Sequence, residues 1–246
     1  MTTGLILQVD GLTVSFDGFK AVDDLNFYVD VGELRCVIGP NGAGKTTLLD
    51  MICGKTKPTA GTIRFKNYEL QKMIEFQITR AGVGRKFQNP SIYEDLTVLE
   101  NLEISYPRRR DPVGSLFWKR GPDVQEKIES VAREIALEDQ LHTKAGLLSH
   151  GQKQWLEIGL LLMQDPELLL LDEPVAGMSP GEREQTAALL NRISHGRSIV
   201  VIEHDMAFVR MIAHKVTVLH QGKLLAEGSM DDVQKDERVI EVYLGH

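Results

Sequence analysis

Hydrophobic residues recur at different spacings along the chain, and these spacings predict where strands give way to helices. Segments 5–16, 25–31 and 34–39 are short, partly alternating and rich in Val, Ile, Leu and Phe, which is typical of β-strands. Residues 62–70 predict a further strand and residues 71–80 a helix. The first third of the chain is therefore expected to be rich in strands.

The middle of the chain changes to helical spacing. Residues 97–100 (Thr-Val-Leu-Glu) form a capping-box pattern that predicts a helix start, and Pro107 predicts its end. Segment 107–122 holds three prolines and two glycines, which favours an exposed loop. Segments 122–138 and 151–164 predict two further helices.

Strands and helices alternate again in the last third. The continuous apolar runs 168–171 and 198–203 predict strands of a parallel sheet that is covered on both faces. Residues 179–182 (Ser-Pro-Gly-Glu) predict a helix start, with serine as the cap and proline in the first helical position. Segments 215–220 and 224–227 predict a hairpin. We therefore expect an α/β core that, with the β-rich start, encloses a helical block.

Composition and charge narrow the class of protein. The 246 residues, 42% hydrophobic and 26% charged, suffice for one large domain or two packed subdomains. The net charge of −7 argues against a wholly basic surface, so no nucleic-acid partner is expected. Cys36 and Cys53 have the spacing of neither a disulfide framework nor a metal site. No signal peptide is recognisable, and no apolar run approaches the roughly 18 residues that span a bilayer.

A glycine-rich loop joins the strand 34–39 to a predicted helix at 45–53. Its glycines let backbone N–H groups converge on phosphate oxygens, and the helix points its positive end at the same anion. Lys45 supplies a charge for the β- and γ-phosphates, and the Thr46 hydroxyl can bind Mg²⁺. The predicted ATP-binding residues are Gly39, Pro40, Asn41, Gly42, Ala43, Gly44, Lys45, Thr46 and Thr47.

Two carboxylates follow the apolar run 168–171. Asp172 and Glu173 lie at the carboxyl end of a predicted strand, where ligands bind in doubly wound sheets. Asp172 is expected to hold Mg²⁺, directly or through water, and Glu173 to polarise the attacking water as general base. With the phosphate loop upstream, this pair predicts ATP hydrolysis.

Further motifs follow in an order that resembles the nucleotide-binding subunits of ABC transporters over essentially the whole chain. The resemblance implies that Gln88 contacts Mg²⁺ and the attacking water, and that His204 contacts the γ-phosphate. It also implies that Phe16 stacks on adenine, and Phe19 is a weaker candidate for the same role. The alternative for both residues is a position in the apolar core.

The segment 149–152 resembles the signature motif of that family. The resemblance implies that this motif binds the γ-phosphate held by the opposite subunit, through Ser149, His150, Gly151 and Gln152. His150 stands where the family usually has glycine, so its ring either adds a pH-dependent charge near the phosphate or, as we favour, points away. Ser179 replaces the usual Asp or Asn in the loop 176–179, which crosses the dimer interface in the family.

The resemblance also implies a fold. This is the α/β P-loop NTPase fold of ABC ATPases, with a RecA-like core, an N-terminal antiparallel β subdomain and an inserted helical subdomain. Within one ATP-binding domain of residues 1–246, we expect 1–89 and 160–246 to form the catalytic core with the β subdomain. We expect 90–159 to form the helical signature subdomain.

The ending 241–245 (Glu-Val-Tyr-Leu-Gly) resembles the branch of the family that serves branched-chain amino acids, amides and urea. Within that branch, residues 14–21, 147–158 and 172–178 look like an ATP-binding subunit of urea transporters. This resemblance implies urea import across the bacterial inner membrane, with import of a branched-chain amino acid or a short amide as the alternative. No residue selects the cargo by itself, because an ATPase on the cytoplasmic side need not touch it.

The same resemblance implies cofactors and partners. ATP and Mg²⁺ are the expected cofactors, and two membrane permeases, a sister ATP-binding subunit and, indirectly, a periplasmic substrate-binding protein are the expected partners. We expect a heterodimer with the sister subunit in the cell, with a homodimer open to the isolated chain. The expected location is peripheral, on the cytoplasmic face of the bacterial plasma membrane.

Two other hypotheses compete with a transporter ATPase. A soluble ABC ATPase of DNA repair or translation typically carries long coiled-coil insertions or two cassettes, and this chain shows neither. A non-catalytic nucleotide switch would not need Lys45, Asp172, Glu173 and His204 together. We therefore favour the transporter.

Overall fold

The computed structural model describes residues 4–86, 92–107 and 121–244. The chain divides into two compact units. The first comprises Met1–Arg85, Glu167–Pro174 and Ile193–His246, and the second comprises Lys86–Pro166 and Val175–Arg192. Among the described helices, none combines the length and the apolar character that a membrane span requires.

The described strands all lie in the first unit. In chain order they are β1 (Leu5–Phe16), β2 (Phe19–Asp30), β3 (Leu34–Ile38), β4 (Ala60–Phe65), β5 (Tyr68–Glu69), β6 (Val83–Arg85), β7 (Leu168–Asp172), β8 (Ser198–Ile202), β9 (Lys215–His220) and β10 (Lys223–Gly228). The described helices are α1 (Lys45–Ile52), α2 (Glu75–Ala81), α3 (Val98–Ser105), α4 (Pro122–Glu134), α5 (His150–Leu162), α6 (Pro180–Ser194), α7 (Met206–Ile212), α8 (Met230–Lys235) and α9 (Glu237–Leu244).

A six-stranded sheet with the order β10-β9-β3-β8-β7-β6 forms the centre of the first unit. The strands from β9 to β6 are parallel, and β10 runs antiparallel to β9. Strands β3, β7 and β8 are buried along their whole length, which explains their continuous apolar sequences. Because parallel strands end at the same edge of a sheet, these three deliver the residues that follow them to one edge.

A buried cation ties this sheet together. Arg35 in β3 is 1% exposed. Its guanidinium donates to Glu33, Glu227 and the Thr217 hydroxyl, and to the Tyr28 carbonyl oxygen. These partners offset the cost of burying a charge and connect β2, β3, β9 and β10.

The second sheet is antiparallel, with the order β2-β1-β4-β5. In β2 the side chains of Leu25, Phe27 and Val29 are buried, and those between them are exposed. This period of two places one face of the sheet against the core and the other in water. The β-rich start predicted from the sequence is confirmed.

Helices α3, α4 and α5 pack on one another in the second unit. Gly159 permits their close approach, because a Cβ there would lie 2.6 Å from Ile135 and 3.1 Å from Leu102. Trp155 Nε1 donates to Thr186 Oγ1 at 2.8 Å and so joins α5 to α6. Residues 160–166 and 175–192 also belong to this unit, and the predicted division into a catalytic core (1–89 and 160–246) and a helical subdomain (90–159) stays a prediction.

Several local predictions need correction. Strand β2 begins at Phe19 rather than at residue 25, and the predicted helix 71–80 consists of a 3₁₀ turn, Leu70–Lys72, followed by α2. The short strand β6 and the terminal helices α8 and α9 were not predicted. The predicted α/β class with an antiparallel sheet and an inserted helical part is confirmed.

Candidate nucleotide site

The phosphate loop leaves β3 at Ile38 and runs into α1. Gly44 caps α1 with a φ of 96°, and a Cβ there would lie 2.5 Å from the Ala21 carbonyl oxygen. Gly39 has a φ of 149°, and a Cβ there would collide with the Leu219 carbonyl oxygen. Only residues without a Cβ fit at both ends of the loop.

The predicted loop residues occupy this turn and the first turn of α1. Asn41 and Gly42 are exposed, Ala43 is buried, and Pro40, Thr46 and Thr47 are half-buried. The exposed tip therefore leaves backbone groups of the loop open to a ligand, as the sequence analysis expected of a phosphate-binding segment.

Lys45 is turned onto its own loop. Its Nζ donates to the Gly39 carbonyl oxygen at 2.7 Å and to the Pro40 carbonyl oxygen at 3.0 Å. Burial lowers the pKa of Lys45, and the negative charges of Glu173 and Asp172 oppose that shift. The ammonium is thus held at the loop, next to the two carboxylates predicted for catalysis.

Asp172 ends β7 and is 5% exposed. Burial raises the pKa of its carboxyl, against a hydrogen bond from the Thr46 side chain and the charge of Arg85. Its Oδ2 is buried without a hydrogen-bond partner among the described residues. An orphaned carboxylate oxygen beside a hydroxyl is an all-oxygen donor set of the kind that Mg²⁺ prefers, so Asp172 and Thr46 fit the predicted metal role.

The described residues offer no cluster of three or more His, Cys, Asp or Glu side chains that could hold a metal ion. Two protein oxygens are fewer than the six ligands of an octahedral Mg²⁺, which usually keeps waters and binds substrate phosphates. A metal at this site would therefore take its remaining ligands from water and from nucleotide oxygens.

Glu173 and His204 lie together at the edge of the sheet. His204 Nδ1 is 3.7 Å from Glu173 Oε1, and both side chains are exposed. Glu173 adopts a left-handed backbone with a φ of 47°, an uncommon conformation that costs energy and concentrates at functional sites. The neighbouring Glu203 is buried, and its Oε2 accepts from the His204 backbone N–H at 3.0 Å, which fixes the segment that carries the histidine.

Arg85 supports this site and was missed by the sequence analysis. It ends β6, is 8% exposed, and pairs with Asp50 of α1. It also donates to the Cys53 sulfur at 3.0 Å, and its charge lowers the pKa of Asp172. A three-residue strand has no detectable periodicity, so nothing local in the sequence indicated this role.

Tyr243 of α9 also reaches the phosphate loop. Burial raises the pKa of its hydroxyl to about 12, opposed by a hydrogen bond from the backbone of Gly39. The ring lines an apolar cavity of about 290 Å³ with Ile38, Met206 and Val239. In the sequence, Tyr243 belongs to the ending 241–245, which indicates the family but not a contact with the phosphate loop.

The signature segment heads α5 in the second unit. Ser149 is the N-cap of α5, and its Oγ accepts from the Gln152 backbone N–H, while the Gln152 side chain accepts from the Ser149 backbone N–H. His150 Nε2 lies 3.0 Å from the Ala176 carbonyl oxygen. The ring is therefore directed at the loop after β7, and its orientation relative to a partner's phosphate stays a prediction. Glu182, expected only at the start of α6, also contacts this segment.

Phe16, Phe19 and Gln88 are the remaining residues that the sequence predicts for this site. Phe16 and Phe19 are paired across the β1–β2 turn and are 49% and 67% exposed. The alternative of an apolar core position is wrong for both, and adenine stacking by Phe16 stays a prediction. Gln88 lies outside the described residues.

Comparisons with known proteins agree on one family. A family model described as ABC transporter matches residues 22–176, and one described as Branched-chain amino acid ATP-binding cassette transporter matches residues 223–246. A Pseudomonas aeruginosa relative, the high-affinity branched-chain amino acid transport ATP-binding protein BraF, is 36% identical over 98% of both chains. The Escherichia coli K12 protein LivG, of the same description, is 34% identical over 98% of both chains.

Solved structures give the same result. A crystal structure of the ADP conformation of an ATP-binding cassette of an ABC transporter superposes with a TM-score of 0.87 at 32% identity, covering 99% of this chain and 100% of the other. A nucleotide-free ABC transporter cassette superposes with a TM-score of 0.83 at 32% identity, with the same coverage. The predicted ABC ATPase fold is confirmed.

Proposed function

We propose that this chain powers the import of a small solute, because it belongs to the ABC transporter family of ATP-binding proteins. Like its family, it is an ATPase. The observation that carries the proposal is the meeting of Lys45, Asp172, Glu173 and His204 around one phosphate loop.

The chain's own residues suggest how ATP is bound and cleaved. The loop N–H groups and the start of α1 receive the phosphates, and Lys45 leaves the Gly39 carbonyl oxygen to pair with them. Glu173 accepts a proton from the attacking water, and His204 holds the γ-phosphate in line with it. When bound between Thr46 and Asp172, Mg²⁺ would neutralise charge on the β- and γ-phosphates.

Cleavage is coupled to transport through a dimer in this proposal. The segment Ser149–Gln152 closes over the γ-phosphate held by a partner subunit, so two ATP molecules join two subunits. After hydrolysis the two ATP-binding subunits separate again. The permeases attached to them change conformation at the same time, because the closed and open states of the dimer differ in their affinity for nucleotide. A sister ATP-binding subunit, two permeases and a periplasmic binding protein complete the assembly at the cytoplasmic face of the membrane.

The names of the relatives favour a branched-chain amino acid as cargo. BraF and LivG are described as branched-chain amino acid transport proteins, and the family matched at residues 223–246 carries the same cargo in its description. Urea, the first expectation from the sequence, gains no support from these names. It remains the second candidate, supported by the local resemblance of residues 14–21, 147–158 and 172–178.

Uptake measurements test the proposal directly. Source cells that carry Lys45→Ala should lose uptake of labelled leucine, while cells that carry the exposed control Lys235→Ala should keep it. Loss of labelled urea uptake instead would retain the motor and change the cargo. If Lys45→Ala cells imported both solutes normally, the transport function would be refuted for these cargos.

A further inference from the structure

A single carboxylate joins the caps of two helices in the second unit. Glu182 Oε2 accepts from the Ser179 backbone N–H at 3.0 Å and from its hydroxyl at 2.9 Å, which forms the expected cap of α6. Glu182 Oε1 accepts from the Ser149 hydroxyl at 3.1 Å and from the Gly151 backbone N–H at 3.2 Å, both at the start of α5. One side chain therefore binds both helix starts.

The donors that Glu182 Oε1 uses are those assigned above to the partner's γ-phosphate. The serine hydroxyl and the glycine N–H at a helix start form a small anion site. A Cβ on Gly151 would lie 2.6 Å from Glu182 Oε1, so the carboxylate sits directly against the helix start. An anion of the chain itself therefore occupies the site.

The Glu182 carboxylate is negatively charged at physiological pH. Hydrogen bonds from the backbone and hydroxyl of Ser179, then from Ser149, lower the pKa of Glu182 to about 2. A phosphate oxygen that approached the same two donors would meet a full negative charge at contact distance. Two anions cannot share one hydroxyl proton and one N–H.

We propose that Glu182 is a built-in occupant of the signature site, which the γ-phosphate of the partner's ATP displaces when the dimer closes. This inference rests on the proposed function, in which residues 149–152 bind that phosphate. The displaced carboxylate keeps its bonds to Ser179 through Oε2, so α6 stays capped. Glu182 thus weakens the ATP-driven closure of the dimer. The size of this effect depends on the strength of its hydrogen bonds with Ser149 and Gly151.

Dimerisation driven by ATP measures this competition. The parent protein carries Glu173→Gln, which is expected to slow hydrolysis and preserve the ATP-bound dimer, and the test adds Glu182→Gln. The amide keeps the length of the side chain and removes its charge. We expect the dissociation constant of the dimer, measured by sedimentation with ATP present, to fall about tenfold, the order expected when one like-charge contact near a protein surface is removed.

Glu100→Gln in the same parent is the matched control. Glu100 Oε2 accepts from the Thr97 backbone N–H and hydroxyl, each at 2.7 Å, which is the cap geometry of Glu182 at Ser179. This control neutralises a capping glutamate away from the signature segment, so dimerisation should match that of the parent. The advantage of Glu182→Gln should also shrink in high salt, because salt screens the repulsion that the variant lacks.

The outcomes separate the two proposals. If the parent forms no dimer with ATP, two copies of this chain do not close over ATP and the displacement proposal is overturned for the homodimer, whereas the proposed function, which uses a sister subunit, is unaffected. If the parent dimerises and Glu182→Gln leaves the dissociation constant unchanged or raises it, Glu182 only positions the signature segment, and the displacement proposal is overturned.

Discussion

The nucleotide-free protein should be less stable with aspartate at position 172 than with asparagine at the same position. The Asp172 carboxylate is 5% exposed, and one oxygen has no partner among the described residues. Asp172→Asn keeps the shape and removes the charge. We therefore expect this variant to unfold at a higher temperature than the wild type while losing ATP hydrolysis.

The structure sets the size of the gain. A buried polar group without a partner costs about 1–3 kcal/mol, and more if it is charged. The bond from Thr46 and the charge of Arg85 offset part of that cost, and the amide leaves a smaller unsatisfied group behind. A net gain of about 1 kcal/mol corresponds to about 2–4 °C in Tm for a domain of this size.

The pH dependence follows from the raised pKa of Asp172. An acid whose folded pKa lies above its unfolded value destabilises the fold only when it is ionised. The penalty is therefore absent below its ordinary pKa of 3.8 and complete once the pH exceeds the folded pKa. The advantage of Asp172→Asn should be full at neutral pH and shrink in acid.

Thermal unfolding followed by circular dichroism provides the assay. Asp139→Asn, at an exposed position, is the control for loss of one surface carboxylate and should leave Tm unchanged. ATP with Mg²⁺ should raise the Tm of the wild type more than that of Asp172→Asn, because tighter binding to the native state adds more stability. A neutral-pH Tm at or below the wild-type value would refute the account of Asp172 as a buried, costly charge.

Two further predictions concern the supports of the site. Arg35→Met should cost about 3–5 kcal/mol in urea unfolding, because it leaves Glu33 and Glu227 without their buried partner, whereas the exposed Arg238→Met should change nothing measurable. Equal midpoints for the two variants would contradict this view. Tyr243→Phe should weaken ATP binding about two- to tenfold in a fluorescence titration, since one hydrogen bond from the Gly39 backbone contributes about 0.5–1.5 kcal/mol. Unchanged affinity would remove Tyr243 from the loop's support.

The sequence predicted those parts of the site whose chemistry is local. The phosphate loop needs glycines within a few residues of Lys45, and Asp172 directly follows its strand, so spacing alone located them. Their meeting also followed, because parallel buried strands end at one edge of a sheet. The cap at Ser179 was found for the same reason, since a capping box spans only four residues.

The residues that the sequence missed act over long separations. Arg85 contacts Asp50 from a strand of three residues, and Glu182 reaches Ser149 from another helix. Arg85 carries no pattern that distinguishes it from an ordinary surface charge, and the capping-box position of Glu182 indicates its bond to Ser179 but not its contact with Ser149. Only the pairing of distant segments in the fold gives these side chains their partners.

The central position of β3 has a consequence for biosynthesis. Its hydrogen-bond neighbours, β8 and β9, are made after it, and β9 ends at His220. At about 5–20 residues per second, the ribosome needs on the order of 10–40 s to extend the chain from β3 to the end of β9. Until β8 is complete at Ile202, neither edge of β3 has its partner, and one edge stays unpaired until β9 is complete. Unpaired edges of apolar strands are prone to aggregation. Shielding of β3 by chaperones or by the N-terminal sheet during this interval would therefore protect the strand that later holds the phosphate loop.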